Sequence, residues 1–335
     1  MKQILINLIV CLLIVACNTD KYNDIDENLV VKFSENIKQE TLKELLYLYA
    51  SKKFEGRETG TAGQRKASEF LKSYYIKHNI LSPLKNEDYF QNIPKAYFDG
   101  HSEGKSENVI AYIKGSDKPE EVVIISAHLD HLGRSKNGAI NYGADDDGSG
   151  TVAILEIANA FNMAVKKGYR PKRSIMFLHV TGEEIGLYGS KYYTQVNPVF
   201  NLKTTVANLN IDMIGRIDDK HIENRNYLYL IGSNKLSQDL HNMSELVNKR
   251  FTNIDLDYTY NKKNDPNRFY YRSDHYNFAK QNIPVIFYFS GLHKDYHRHT
   301  DTPDKIEYDL LEKRTKLIFC TTWYLANANH KINLN

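Results

Sequence analysis

Acidic and imidazole side chains recur at five places in this chain, each just downstream of an apolar, β-rich run. His128-Leu129-Asp130 follows residues 122–127. Gly143-Ala144-Asp145-Asp146-Asp147-Gly148-Ser149-Gly150 closes the next loop and enters an apolar helical pattern. Gly182-Glu183-Glu184 follows 174–181, and Asp212 follows 206–211. Tyr296-His297 and Asp301-Thr302 follow 285–290. In open α/β sheets, ligands collect at the carboxyl ends of the strands. Carboxylates gathered there would repel and take up protons unless cations held them together. Two divalent ions about 3.5–4 Å apart, as in sites that activate water for hydrolysis, would relieve that repulsion. Taken singly, an H-x-D triplet reads as a surface turn, a run of Asp as a solvated loop, and a Glu pair as a helix cap. Asp212 inside an apolar run is odder, because leaving such a charge buried and unpaired costs roughly 3–5 kcal/mol. Order and placement together are what the ordinary readings do not supply.

The elements that would carry these groups alternate between strand and helix. Ser34 can cap a first helix with apolar positions at Leu42, Leu45, Leu46 and Leu48. Thr61-Ala62-Gly63-Gln64 has capping-box spacing before a helix that ends near His78. Strands are expected at 108–113, 122–126, 174–180, 206–211, 227–231, 255–260 and 285–289. Helices are expected at 150–165, near Ser190, at 236–247 and at 309–326. Strands that are apolar throughout and separated by helices argue for a mostly parallel central sheet covered on both faces. No internal repeat or linker interrupts 33–330, so that stretch reads as one domain despite its length.

Composition agrees with a globular enzyme-sized domain. Of 335 residues, 41% are hydrophobic and 25% charged, too apolar for a disordered chain. With 44 basic and 41 acidic residues interspersed, the balance gives no ground for nucleic acid as a partner. The N-terminus carries an address. One Lys precedes an apolar run from Ile4 to Ala16, too short to span a bilayer, and Cys17 closes it. Ile14-Val15-Ala16-Cys17 resembles the bacterial lipoprotein box. The expectation is a signal peptide at 1–16, a lipidated Cys17, a polar tether over 17–32 and a catalytic domain over 33–330. The protein would then be exported and held at a bacterial membrane by lipid alone, in the periplasm or at the cell surface. Cys11 would leave with the signal, and Cys320 is the remaining thiol, so the fold must rest on its core.

The motifs HLDHLG, GADDDGSG, TGEEIGLYGS, NIDMIG, SDHYNF and DYHRHTDTPDKI resemble, in order, those of the secreted co-catalytic zinc aminopeptidases. Glutamate carboxypeptidases and glutaminyl cyclases share that fold. The resemblance covers roughly 55–325 and implies a three-layer α/β/α domain with a mixed sheet of about eight strands. It implies that His128 and Asp212 hold one metal, that Glu184 and His297 hold the other, and that Asp146 bridges them. Asp130 would accept a hydrogen bond from His128 and fix its tautomer. Glu183 would be the general base, passing a proton from the attacking water to the leaving amine. Tyr270 would match a tyrosine that donates to the oxyanion. Carboxylate and imidazole ligands without thiolate suit two zinc ions, with cobalt or manganese as substitutes.

Other histidines carry plainer readings. His131 reads as a loop residue, His179 as a satisfied core histidine, and His275 as a residue that orders its loop. His293 and His299 flank the last ligand, and His299 stands where relatives often have Pro. Peptides are the implied substrates, and the absence of an insert between 80 and 105 favours a compact aminopeptidase over the carboxypeptidases. Two alternatives stay open. One is a glutaminyl cyclase, which usually has Trp where Tyr296 stands. The other is an inactive, lipid-tethered binding protein on the same scaffold.

Overall fold

The computed structural model describes residue 22 and residues 24–335, so the signal segment and Cys17 lie outside the described residues. Among the described residues, eight strands form one sheet. They are β1 (Phe90–Ile93), β2 (Ser106–Ile113), β3 (Lys118–His128), β4 (Arg173–Val180), β5 (Thr205–Ile211), β6 (Tyr227–Ile231), β7 (Asp255–Asp257) and β8 (Val285–Phe289). Their order is β1-β2-β4-β3-β5-β8-β6-β7. The centre, β4-β3-β5-β8, is parallel, while β1, β2 and β6 pair antiparallel with their inner neighbours.

Period-two alternation splits each central strand between two cores. From β3, Val123, Ile125 and Ala127 face the larger core, while Val122 and Ile124 face the smaller. The larger side is covered by α1 (Glu27–Ser34), α2 (Gln39–Tyr49), α3 (Ala62–His78), α4 (Gly150–Lys166), α6 (Gln238–Val247) and α8 (Tyr308–Asn327). The other side is covered by α5 (Tyr188–Gln195) and α7 (His275–Ala279), through Tyr193 and Phe278. The protein is therefore a three-layer α/β/α domain with a mixed sheet. The layers lock through aromatic contacts such as Phe161 of α4 on Phe319 of α8, with ring centroids 4.6 Å apart. Thr61 caps α3 by accepting from the Gln64 amide, the geometry its spacing predicts.

The N-terminal expectations need correction. Ser34 does not cap the helix that carries Leu42 and Leu46, whose N-cap position is Lys38 with no side-chain cap; Ser34 is the last residue of α1, which Asp26 caps. The segment assigned to a tether over 17–32 includes most of α1, whose Val30 and Phe33 are buried. The physical reason is legible: Val30 and Phe33 fall three apart on one helical face, and their burial against the core offsets the ordering entropy. Two further elements, the edge strand β1 and the short α7, are too brief to leave a periodic signal in the sequence.

Candidate metal centre

Most of the expected ligands sit where parallel strands end. His128 is the last residue of β3, Glu183 and Glu184 follow β4, Asp212 follows β5, and His297 lies in the loop after β8. Asp146 comes from the loop that leads into α4, and its peptide bond to Asp147 is cis. His128 Nε2 lies 3.1 Å from Asp146 Oδ1 and 3.6 Å from Asp212 Oδ1. His297 Nε2 lies 3.2 Å from Asp146 Oδ2 and 3.2 Å from Glu184 Oε2. Asp146 thus turns one oxygen toward each group.

Those contacts are not used up by hydrogen bonds. Asp146 Oδ2 is buried with no hydrogen-bond donor among the described residues. Ligand atoms about 2.0–2.2 Å from a tetrahedral zinc lie about 3.3 Å from one another. The separations of 3.1–3.6 Å match the edges of such tetrahedra, so the residues present fit a pair of zinc ions.

The surroundings fix the ligands. His128 Nδ1 bonds the backbone carbonyl of Asp130 at 3.1 Å, which leaves Nε2 free to coordinate. This corrects the expected role of Asp130: its carboxylate is 3.9 Å from Nδ1. Its oxygens instead accept from the Thr59 hydroxyl (2.8 Å) and the Glu183 amide (3.2 Å), tying the ends of β3 and β4 together. Ser273 donates to Asp212 Oδ2 at 2.6 Å and so sets that carboxylate's angle. Asp147 lies within 4.8 Å of His128 and Asp212 as a third clustered group. Its oxygens, however, accept from the amides of His128, Gly150 and Met213, so it clamps strand ends. Asp145 is turned away, bonded to Ser149 and Gly215 and lying 3.2 Å from His293.

Two residues matter more than their sequence context suggests. His131, read as a loop residue, is buried at the site, and its Nδ1 bonds Glu184 Oε1 at 2.6 Å. That leaves Glu184 Oε2 toward His297. The available signal is the spacing: a second imidazole three residues after His128 at one strand end. Arg57 belongs to no motif. It is buried and donates to the carbonyls of Leu129, Tyr142 and Gly143, so one guanidinium staples the His128 loop to the Asp146 loop. Gly143, at φ +54°, lets these loops close, since a Cβ there would meet Asp146 O at 2.3 Å. His179 is a core histidine as expected, its Nε2 2.7 Å from the Tyr75 hydroxyl, but its buried Nδ1 has no partner among the described residues.

The charges of these side chains lean on one another. Burial opposes protonation of His128, but Glu183, Asp146 and Asp212 around it hold its pKa well above the usual value. Burial likewise opposes a charged His297, yet Asp146 and Glu184 raise it to about 10. Burial raises Asp146, and the imidazoles beside it more than reverse that, holding it low. Glu183 goes the other way: burial, with Asp212 and Glu184 nearby, pushes it well above the carboxylate range.

A small cavity of about 40 Å³ opens onto Asp146, Glu183, Asp212 and His297. Its other walls include Met213, Phe269, Phe287, Phe289, Leu292, Arg272 and Tyr296. Tyr270 does not line it, which corrects the expected oxyanion role. Phe269–Tyr271 is one 3₁₀ turn, and in such a turn residues three apart eclipse. Phe269 and Arg272 therefore share the site face, while Tyr270 and Tyr271 face another cavity. The phenol that lines the site is Tyr296, stacked on His297 with ring centroids 3.8 Å apart. Burial and the carboxylates of Asp146, Asp212, Glu184 and Glu183 raise its pKa, so it stays a donor.

Comparison with known proteins adds independent support. Residues 108–322 match the sequence profile described as Peptidase family M28. The chain is 36% identical over 108 residues to the probable glutamate carboxypeptidase LAMP1 of Arabidopsis thaliana, a match covering 32% of this chain and 15% of that protein. Its fold resembles that of the Legionella pneumophila LapA aminopeptidase, with a TM-score of 0.69 and 21% identity over 91% of this chain and 76% of that one. It also resembles BSAP, a zinc aminopeptidase from Bacillus subtilis, with a TM-score of 0.66 and 16% identity over 88% of this chain and 97% of the other.

Proposed function

The chain belongs to peptidase family M28, and from that premise we propose that it is a zinc aminopeptidase that removes N-terminal residues from peptides. The observation that carries the reading is Asp146, whose two carboxylate oxygens face two separate imidazole–carboxylate groups. His128 and Asp212 would hold one ion, Glu184 and His297 the other, and Asp146 both. Two zinc ions would lower the pKa of a water and polarise the scissile carbonyl.

The chain's own groups do the rest. Glu183 lines the same cavity and is assigned to neither ion, so its carboxylate is placed to take a proton from the attacking water. It then returns that proton to the leaving amine. Tyr296 donates to the oxygen that gains charge as the carbonyl carbon becomes tetrahedral. Met213, Phe287 and Phe289 are buried apolar walls, which favours an apolar N-terminal side chain. Lipid attachment at Cys17 and residence at a bacterial membrane are part of the proposal, resting on Ile14-Val15-Ala16-Cys17. Metabolic labelling with a fatty-acid analogue should mark the wild type and not Cys17→Ala.

The test is a set of peptides with free, N-acetylated or C-amidated ends, assayed with and without a chelator. Cleavage of free and C-amidated peptides, lost on N-acetylation or chelation, is the expected result. Cleavage from the C-terminus, or activity indifferent to the chelator, would overturn the reading.

A further inference from the structure

The turn that presents Phe269 and Arg272 to the metal site gives its opposite face, Tyr270 and Tyr271, to a second cavity of about 330 Å³. Lys235, Lys262, Lys263 and Arg268 line this cavity, against the single carboxylate of Asp265. That carboxylate is already committed. It accepts from the amides of Asn267 and Phe269, both at 3.0 Å, and from the Asn267 side chain at 3.2 Å. It shapes the loop and leaves the cations without an ion-pair partner among the described residues.

Two of the cations are held in place. Lys235 Nζ donates to Asn261 O at 2.8 Å and rests 4.8 Å from the Tyr270 ring centre. Burial lowers its pKa, and the nearby Asp265 carboxylate offsets that only in part. Arg268 sits 5.1 Å from the Tyr271 ring centre with φ +55°, a conformation that costs a non-glycine residue roughly 1–2 kcal/mol. Like charges gathered in one concavity focus a positive field that an anion relieves. Arg272 lines the metal-site cavity, its guanidinium 5.0 Å from the Phe269 ring centre.

We propose that this basic cavity is a substrate subsite, binding side-chain carboxylates of an acidic peptide whose terminal residue occupies the metal site. The inference rests on the peptidase reading. Lys235, Lys262, Lys263 and Arg268 would then choose among peptides by the side chains downstream of the residue removed.

The experiment compares Leu-Ala-Glu-Asp-Glu with Leu-Ala-Gln-Asn-Gln and with leucyl-p-nitroanilide. Each is assayed on zinc-loaded wild type and on the Lys262→Gln/Lys263→Gln/Arg268→Gln variant. Wild type should favour the acidic peptide about tenfold in kcat/KM at low salt, from several weak exposed pairs. That advantage should shrink at 0.5 M salt. The variant should lose the preference while cleaving leucyl-p-nitroanilide as wild type does. Fluorescence anisotropy with an N-acetylated, dye-labelled acidic pentapeptide gives a readout independent of turnover, and wild type should bind it about tenfold more tightly than the variant. If that binding difference appears but leucyl-p-nitroanilide is not cleaved, the peptidase reading fails and the anion site stands. Normal cleavage with no acidic preference, or a preference the variant keeps, overturns the subsite. So does binding to phosphatidylglycerol vesicles through these cations without any effect on peptide.

Discussion

Two clusters in this molecule are built from the same residue types and end differently. At the carboxyl ends of β3, β4, β5 and β8 and the loop before α4, His128, Glu184, Asp212, His297 and Asp146 approach one another at 3.1–3.6 Å, and Asp146 Oδ2 is left without a donor. Beside β6, His221 meets Asp218 and Asp257 in a partly buried setting. There His221 Nδ1 bonds Asp218 Oδ1 at 2.8 Å, and Tyr229 donates to Asp218 Oδ2 at 2.7 Å. His221 Nε2 faces Asp257 at 3.4 Å, and its ring stacks on Tyr227 with centroids 3.5 Å apart. Composition therefore does not distinguish a metal site from a structural network. Arrangement does: the two oxygens of Asp146 face two separate imidazoles, whereas both oxygens of Asp218 accept hydrogen bonds within one network.

The sharpest way to test the difference is to change chemistry without changing the fold. Glu183→Gln keeps size and accepts a hydrogen bond but takes no proton. Its kcat should fall by about 10²–10⁴-fold, with zinc content unchanged by elemental analysis. Near-normal turnover would remove Glu183 as base. The next effect separates two tyrosines. Tyr296→Phe should lower kcat by about 10²–10³-fold with little change in KM, whereas Tyr270→Phe should turn over leucyl-p-nitroanilide at the wild-type rate. The reverse result would place the oxyanion donor on the other face of the 269–271 turn. The smallest effect belongs to the structural cluster. Asp218→Asn breaks hydrogen bonds to a charged group and should cost about 1.5–3 kcal/mol of stability, seen as a lower Tm in a thermal melt. Zinc content and kcat should hold, and a lost zinc ion would mean that the two clusters are not distinct in kind.

These contrasts also explain what the sequence could and could not yield. Strand-end placement is visible because apolar runs and their downstream charges are both local, so β3 to β5 and their His, Asp and Glu groups are legible. Capping at Thr61 is legible for the same reason. What escapes depends on direction and distance. The acceptor for His128 Nδ1 is a carbonyl because the Asp130 carboxylate is drawn to Thr59, 71 residues upstream. Tyr270 and Phe269 are adjacent in sequence, yet a single tight turn sends them to different cavities. The spacing of His131 after His128 is suggestive, but its 2.6 Å bond to Glu184 is what shows its place. The basic cavity joins Lys235 to the 262–268 loop, a juxtaposition no short motif encodes.

The central claim is that Asp146 joins two metal positions, and metal stoichiometry tests it most directly. Purified wild-type protein, equilibrated with zinc and dialysed, should carry close to two ions per chain by elemental analysis. Asp146→Ala should retain fewer than one and lose activity, while Asp218→Asn keeps two. A wild-type protein that binds less than one ion, or an Asp146→Ala protein that still binds two, would contradict the account.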